Sequence, residues 1–562
     1  MTVAVMPPSA ALPAPPRAKP RPATSLLVIV AVGLALYLPG INWGLPGTVS
    51  WSQDTIAGAR TLGAMEGWPN DWKGRYPPLH YMILYAAYQP VLWHWSNIGA
   101  RSVDPATGRM ELHPPHAPKV GALLLIAGAV SATMAVAAGI GLWAATREWT
   151  GDALAALIAA IAFMIGADFT YFAHLGNVDV PSVCWFTWSL FFYVRALRSR
   201  SWMDAALLGL FGSLAMSTKD AAAGAYPGMA VVLLMTEILE PRPPVVSLAR
   251  RIVGAVFQWR WLPALAAFVI PYLWVNGVFA NPQGYVERMA YWLIPPADTL
   301  HARQFRYADQ FRLGLATLHY AASAVGWPML AALLASTVYA MRRHTRTAVV
   351  VLAPALSYYA VVIAQIDFVY ARFLFVPLAL LYVLVGLAGA GLLRTARLMP
   401  IVRLAIVTVV LVPSLAYAVA VDLELMTDSR YEAEAWFAAN VPPPSSIGAF
   451  TRDEHLRLTP QYLPRVHDMG YATYPLAPSR ESFDRPQPEY LIVSSYDYED
   501  FDTSQRACVD DLLAGRLGYE PVATFRGGYL AVGSSWLGVA GWGTPTLGKI
   551  SPTLTVLHRA GP

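Results

Sequence analysis

Long apolar runs, separated by short polar stretches, follow one another along the first three quarters of the chain. Eleven of them are long enough to cross about 30 Å of hydrocarbon as helices. They lie near residues 24–41, 118–145, 152–171, 181–197, 203–218, 221–239, 261–280, 313–340, 347–365, 373–393 and 401–421. After residue 421, polar residues, prolines and short strand-like runs such as Tyr490–Ser494 take their place. The pattern predicts an α-helical membrane domain of about eleven spans over 24–421 and a small soluble α/β domain over 422–562.

A further apolar run at 79–97 differs from the spans. It follows Pro77 and Pro78, contains Pro90 and is rich in Tyr and Trp, which is typical of a helix lying on the membrane surface. If this run does not span and the N-terminus is cytoplasmic, every short arginine cluster falls in a cytoplasmic loop, as the positive-inside rule requires. These clusters lie at 195–200, 242–260, 342–346 and 394–403. The opposite choice would place all of them outside, so we expect an external loop over 42–117 with surface helices near 53–66 and 79–97, and an extracytoplasmic C-terminal domain.

Composition agrees with a multi-pass membrane protein. Charged residues make up 13% of the chain and hydrophobic residues 56%, whereas soluble domains carry about 25% charged residues. The net charge of +5 is assigned to cytoplasmic loops and not to nucleic-acid binding. Residues 1–23 are rich in Pro and Ala with several basic residues, and they are expected to form a disordered cytoplasmic tail before a retained first helix. No Cys/His spacing of the zinc type is present.

With this topology, the predicted external loops collect a specific set of polar residues. The first loop contributes Asp54, Arg75, Tyr76 and His80, and later loops and span ends contribute Asp179, Lys219 and Arg372. An acidic residue at the mouth of a membrane bundle is costly unless it has a function. Carboxylates and cations on one membrane face are suited to a reaction in which a general base lies beside a phosphate leaving group.

An ordered set of short motifs runs through the first two thirds of the chain. They are Asp54, Tyr76-Pro-Pro-Leu79, Asn177-Val-Asp179-Val-Pro181, Ser217-Thr-Lys219 and Arg372-Phe-Leu-Phe-Val-Pro377. In this order they resemble the GT-C glycosyltransferases, within the group of the protein O-mannosyltransferases and aminoarabinose transferases (glycosyltransferase family 39 and its relatives). Each motif alone is weakly specific, whereas the ordered set is more so. One departure is Thr55, where the eukaryotic mannosyltransferases have Glu, and it leaves the substrate subclass open.

The resemblance implies a GT-C fold and an inverting transfer of a sugar from a polyprenyl-phosphate donor to an acceptor hydroxyl on the extracytoplasmic face of the cell membrane. By this resemblance Asp54 is the general base and Asp179 positions the acceptor or the donor. Lys219 and Arg372 neutralise the leaving phosphate, and Arg75, Tyr76 and His80 lie near the donor entrance. The resemblance implies no required metal or cofactor. The sugar, and whether the acceptor is a protein, a lipid or a glycan, stay open.

Each of these residues also has a simpler interpretation. Asp54 and Asp179 have positions suited to helix capping, and Lys219 and Arg372 are suited to reaching the lipid headgroups. The stretch from Tyr76 to Tyr81 equally fits a rigid turn before a surface helix. Two other functions compete with transfer, namely a transporter or flippase and a non-catalytic subunit for cell-envelope polymer assembly. Transport favours ionisable groups within broken spans, whereas here the charges gather at the outer ends of the spans.

Overall fold

The structure is a computed structural model that describes most of the chain. The described residues are 22–47, 50–52, 54–70, 72, 76–103, 110–112, 120–240, 247–293, 309–366, 368–450, 463–466, 469–484, 487–499, 501–529 and 547–560. The chain is mostly helical, as the apolar pattern predicts. Its helices are α1 (Pro22–Tyr37), α2 (Ala59–Gly67), α3 (Leu79–Asn97), α4 (Gly121–Thr150), α5 (Ala153–Met164), α6 (Ala167–Ala173), α7 (Asp179–Ser199), α8 (Trp202–Thr218), α9 (Tyr226–Ile238), α10 (Leu248–Val256), α11 (Trp261–Val275), α12 (Pro282–Leu293), α13 (Gln310–Val325), α14 (Trp327–Arg343), α15 (Thr345–Tyr358), α16 (Phe375–Arg394), α17 (Pro400–Met426), α18 (Ser429–Asn440), α19 (Ser495–Glu499) and α20 (Thr503–Leu513).

Among the described residues, five helical segments are long and apolar enough to cross a membrane, or eight if each bent helix pair is one span. The five are Gly121–Thr150, Asp220–Ile238, Thr345–Ile366, Ala371–Arg394 and Pro400–Asn440. The bent pairs are α5 with α6, α10 with α11, and α13 with α14, and α1 is a shorter apolar helix. The apolar runs therefore do form helices, while the total of about eleven spans stays a prediction.

The run at 313–340, expected as one span, is two helices that meet at 117°. The break falls at Gly326, whose φ of +84° favours glycine. Pro328 lies in the first turn of α14, where its missing N–H leaves no helical hydrogen bond unmade. The expectation of one continuous helix was wrong here because a glycine and a proline two residues apart end one helix and begin the next.

The centre of the bundle is formed by α7 packed between α4 and α8. Helix α7 begins at Asp179, and α8 returns antiparallel to it and ends at Thr218. A side chain on Gly141 of α4 would lie 2.6 Å from the Thr187 hydroxyl oxygen, so this close packing of α4 against α7 requires glycine. The hairpin of α7 and α8 therefore brings the start of α7 and the residue after α8 to the same end of the bundle.

The C-terminal segment contains a five-stranded mixed sheet. Its strands are β3 (Ser446–Phe450), β4 (Ala472–Leu476), β5 (Tyr490–Ser494), β6 (Tyr519–Phe525) and β7 (Leu554–Arg559), and a separate hairpin pairs β1 (Arg101–Val103) with β2 (Met110–Leu112). The strand order is β4-β3-β5-β7-β6, with β3 parallel to both of its neighbours and β7 antiparallel to both of its own. Two apolar clusters pack helices against the residues of this sheet. One contains Phe437 of α18, and the other contains Leu512 of α20. The α/β character agrees with the change in composition, whereas the boundary at residue 422 and the external location stay predictions.

Candidate active site

The first loop carries Asp54 to the start of α7. The hydroxyl of Thr55 donates a hydrogen bond to the Gly176 carbonyl at 2.9 Å, and the backbone N–H of Asp54 donates to the Ser52 hydroxyl at 3.2 Å. The Ser52 hydroxyl also accepts from the Tyr171 hydroxyl at 3.1 Å. Asp54 lies in a turn before α2, whose N-cap residue is Gly58, and not in the helix expected at 53–66. Asp54 therefore does not cap α2.

Two cations hold the carboxylate of Asp54, one on each oxygen. Arg372 donates from Nη1 to Oδ1, and Lys549 donates from Nζ to Oδ2 at 2.8 Å. The Asp54 side chain is 9% exposed. Burial alone would raise the pKa of Asp54, but the charges of Arg372 and Lys549 outweigh it and hold that pKa well below its usual range. Asp54 is consequently an ionised carboxylate with a cation on both oxygens.

Asp179 and Lys219 form a second ion pair at the open end of the α7–α8 hairpin. Lys219 donates to Oδ1 of Asp179, and the side-chain amide of Asn177 donates to Oδ2 at 2.9 Å. Helix α7 has Val178 at its N-cap without a side-chain cap, so Asp179 does not serve as the helix cap. Burial lowers the pKa of Lys219 more than the neighbouring Asp179 charge raises it. The ammonium group lies 4.8 Å from the ring centre of Phe373, the residue after Arg372.

The ion pairs of Asp54 and of Asp179 belong to one charged cluster, which we define as Asp54, Asp179, Lys219, Arg372 and Lys549. Lys219 interacts electrostatically with Arg372 and with Asp54, and Arg372 does so with Asp179. Side-chain exposure across the cluster ranges from 3% to 18%. Among the described residues this cluster holds three cations and two carboxylates, so it carries a net positive charge in a largely buried place.

Aromatic rings line the charged cluster. The guanidinium carbon of Arg372 lies 5.3 Å from the ring centre of Tyr370 and 5.8 Å from that of Phe172, within the range of cation–π contacts. Tyr76 interacts electrostatically with Arg372, which places this residue of the first loop near the cluster. These rings reduce the access of water to the cations, which strengthens the interaction of the cations with any anion that reaches them.

Sequence reasoning missed Lys549. It ends a short 3₁₀ turn, Leu547–Lys549, more than 120 residues beyond the last predicted span. Its backbone carbonyl accepts from the Arg430 guanidinium at 3.1 Å, and the N–H of Ser551 donates to Asp428 at 2.9 Å. The one signal available in the sequence was the rarity of lysine. The lysines of the chain are Lys19, Lys73, Lys119, Lys219 and Lys549.

The remaining predicted residues are less closely tied to the cluster. His80 lies in α3 and is fully buried, and neither ring nitrogen has a hydrogen-bond partner among the described residues. Burial lowers the pKa of His80 to about 3, so it is neutral near pH 7 and adds no charge. Arg75 lies outside the described residues. A place near the donor entrance stays a prediction for both residues. Within the described residues no group of three or more His, Cys, Asp or Glu side chains is arranged to hold a metal ion.

Comparison with known proteins indicates the class of protein to which this site belongs. Residues 123–261 match the family model described as dolichyl-phosphate-mannose-protein mannosyltransferase. This segment contains Asp179 and Lys219 with their surrounding motifs, whereas Asp54 and Arg372 lie outside it. The match confirms the resemblance to the protein mannosyltransferase group of GT-C enzymes and supports glycosyltransferase activity. A search of curated proteins found no match.

Three solved structures from different organisms match this chain. The archaeal oligosaccharyltransferase AglB from Archaeoglobus fulgidus, in complex with an inhibitory peptide and a dolichol-phosphate, is 13% identical with a TM-score of 0.45, over 88% of this chain and 71% of that chain. ArnT from Cupriavidus metallidurans bound to undecaprenyl phosphate is 15% identical with a TM-score of 0.44, and the match covers 96% of this chain and 100% of that chain. The Saccharomyces cerevisiae protein O-mannosyltransferase Pmt1-Pmt2 complex bound to the sugar donor is 12% identical with a TM-score of 0.29, and the match covers 54% of this chain and 36% of that chain.

Proposed function

We propose that the chain is an inverting GT-C glycosyltransferase that moves a sugar from a polyprenyl-phosphate donor to an acceptor hydroxyl on the extracytoplasmic face of the membrane. The observation that carries this proposal is the net positive charge of the buried cluster. Three buried cations share two carboxylates, so a further anion bound there would balance the excess positive charge. The phosphodiester of a lipid-linked sugar carries one negative charge and accepts hydrogen bonds from arginine and lysine.

The donor class is supported by the family match. Dolichyl-phosphate-mannose, named in the description of the family model, is a sugar on a polyprenyl phosphate. The matched segment contributes Asp179 and Lys219 to the charged cluster. Which sugar is carried, and whether the acceptor is a protein, a lipid or a glycan, stay open.

Asp54 acts as the general base in this proposal. Its carboxylate takes the proton of the acceptor hydroxyl while the acceptor oxygen forms a bond to the anomeric carbon. The bond between that carbon and the phosphate oxygen breaks, and the polyprenyl phosphate leaves with the electron pair. Because the acceptor attacks opposite the leaving group, the configuration at the anomeric carbon inverts. A positioned general base contributes about 100- to 10,000-fold to a rate.

The other residues of the cluster serve the phosphate and the geometry. Lys219 and Arg372 neutralise the charge that develops on the leaving phosphate, a stabilisation that is strong where water is excluded. Asp179 holds Lys219 and positions the acceptor or the donor. Tyr76 and His80 are assigned to the side from which the lipid enters, and the same role is expected of Arg75, which lies outside the described residues. Lys219 immediately follows α8 and Arg372 lies in the turn before α16, which favours a site at helix ends over a transport path through the spans.

The test is transfer from a panel of radiolabelled polyprenyl-phosphate sugars by purified wild type and Asp54→Asn. Asp510→Asn is the matched control, because Asp510 is an exposed carboxylate on α20. We expect transfer by wild type and by the control, and a loss of at least about 100-fold in Asp54→Asn. Unchanged transfer by Asp54→Asn would remove the assigned base. If folded wild type transfers no sugar from any donor to any acceptor tried, the transporter and assembly-subunit functions gain weight.

A further inference from the structure

The carboxylate of Asp54 is a weakened base while both cations contact it, because their charges lower its pKa. Arg372 occupies Oδ1 and Lys549 occupies Oδ2. A general base must lie within hydrogen-bonding reach of the proton it removes, and each cation takes one lone pair of an oxygen that has two. Under the proposed function, release of one oxygen would therefore make Asp54 both a stronger and a more accessible base.

Lys549 is built to be the cation that moves. Its backbone is fixed, since the Lys549 carbonyl accepts from Arg430, and the N–H of Ser429 donates to the Ser551 hydroxyl at 2.9 Å. Arg430 itself is fully buried, with its guanidinium carbon 4.3 Å from the ring centre of Trp51. The side chain beyond this anchor is a flexible four-carbon stem with a compact ammonium group. Lys549 can thus exchange partners while the surrounding chain stays in place.

Arg372 is less free to move than Lys549. Its guanidinium lies against the rings of Tyr370 and Phe172 while it contacts Asp54, and it belongs to the turn that leads directly into α16. Arg372 and Lys549 each donate one hydrogen bond to Asp54, and the ring contacts of Arg372 further restrict its guanidinium. Of the two contacts to Asp54, the one to Lys549 is therefore the easier to break.

We propose that Lys549 is a phosphate-binding residue of the site, which leaves Asp54 for the donor phosphate and so frees Oδ2 to accept the proton of the acceptor hydroxyl. This inference rests on the proposed function and adds to it a residue from the C-terminal segment and an order of binding. The donor binds first and exposes the base, and the acceptor is deprotonated only when the donor is in place. As the sugar is transferred, the phosphate changes from a diester with one negative charge to a monoester with up to two, so its attraction for Lys549 increases along the reaction.

The experiment measures the dissociation constant of undecaprenyl phosphate for purified full-length wild type, Lys549→Met, Asp54→Asn and the double variant. Lys549→Met is expected to bind about tenfold to thirtyfold more weakly, since it loses one charge-assisted hydrogen bond. Asp54→Asn is expected to bind about tenfold more tightly, because the carboxylate that competes with phosphate for Lys549 is gone, while its transfer falls by at least about 100-fold. In the Lys549→Met background the tightening caused by Asp54→Asn should fall by at least about threefold.

Two further variants separate phosphate binding from a structural role. Lys549→Arg keeps the charge and is expected to bind within about threefold of wild type. Arg516→Met removes a cation from the same segment at an exposed ion pair with Asp511, and it is expected to leave binding unchanged. Inorganic phosphate alone should bind more weakly than the lipid and should show the same dependence on Lys549. Dependence on Lys549 for inorganic phosphate but not for the lipid would overturn the proposal.

Failure of this inference differs from failure of the proposed function. If wild type transfers sugar and binds undecaprenyl phosphate, but Lys549→Met binds it like Arg516→Met and Asp54→Asn binds no more tightly, then Lys549 does not contact the phosphate. If Lys549→Met does not fold, the Asp54→Asn measurement still decides the outcome. If wild type neither binds the lipid nor transfers sugar, the proposed function itself is wrong.

Discussion

The two carboxylates of the charged cluster are held in opposite ways. Asp179 is paired within one hairpin, with Lys219 40 positions away and Asn177 only two. Asp54 is paired across the whole molecule, with Arg372 318 positions away and Lys549 495. A local pair forms as soon as α7 and α8 pack, whereas the pairs of Asp54 require the bundle and the C-terminal segment to be assembled. The difference indicates that Asp179 has a fixed positioning role, whereas the contact of Asp54 with Lys549 can be exchanged.

The largest expected difference between the two carboxylates is catalytic. Asp54→Asn should lower kcat by at least about 100-fold, because it removes the proton acceptor. Asp179→Asn keeps a side chain that can still accept from Asn177, so we expect mainly a higher KM, with kcat reduced less than about tenfold. Steady-state transfer with saturating and limiting donor distinguishes the two. Equal losses of kcat in both variants would contradict the division between base and positioning residue.

The second expected difference is in stability. Lys219→Met leaves Asp179 buried without its cation, and breaking one side of a buried ion pair costs about 3–5 kcal/mol. The expected result is a clearly lower thermal unfolding midpoint of the purified protein. Lys549→Met should lower it far less, because Asp54 keeps Arg372.

The matched control for this experiment is the double variant Lys219→Met with Asp179→Asn. Removing the second charge should restore much of the lost stability, since no uncompensated carboxylate then remains buried. If the double variant is as unstable as Lys219→Met alone, the loss comes from the contact of the ammonium with the Phe373 ring and not from the ion pair.

Sequence reasoning reached the locally determined part of this site and missed a distant part. Asp179 and Lys219 belong to short motifs at span ends, and the positive-inside rule predicts that the two lie on the same membrane face, as the antiparallel α7–α8 hairpin of the structure requires. Lys549 follows a glycine-rich, largely apolar stretch, and no spacing or periodicity links it to a loop some 495 residues earlier. The break at Gly326 was missed because an apolar run does not reveal whether it is one helix or two.

A third prediction concerns pH. The pKa of Asp54 is held below its usual value, so Asp54 should stay ionised in the free enzyme as pH falls, and the loss of activity due to its protonation should lie below about pH 4. Lys549→Met removes one of the two cations that lower this pKa, so the acid limb of kcat/KM should move to higher pH. Lys549→Arg should leave the limb where it is. A limb that does not move in Lys549→Met would show that Lys549 does not act on Asp54 in the free enzyme.

The smallest expected effect is at Tyr76, which interacts with the Asp54 side of the cluster through Arg372. Tyr76→Phe keeps the ring and removes one neutral hydroxyl, so we expect the KM for the donor to rise by less than about tenfold. Because Tyr76 is assigned to donor entry and not to proton transfer, kcat should be unchanged. Tyr85→Phe in α3 is a suitable control for loss of a tyrosine hydroxyl in the same region. A fall in kcat without a change in KM would instead place Tyr76 at the reacting atoms, beside Asp54.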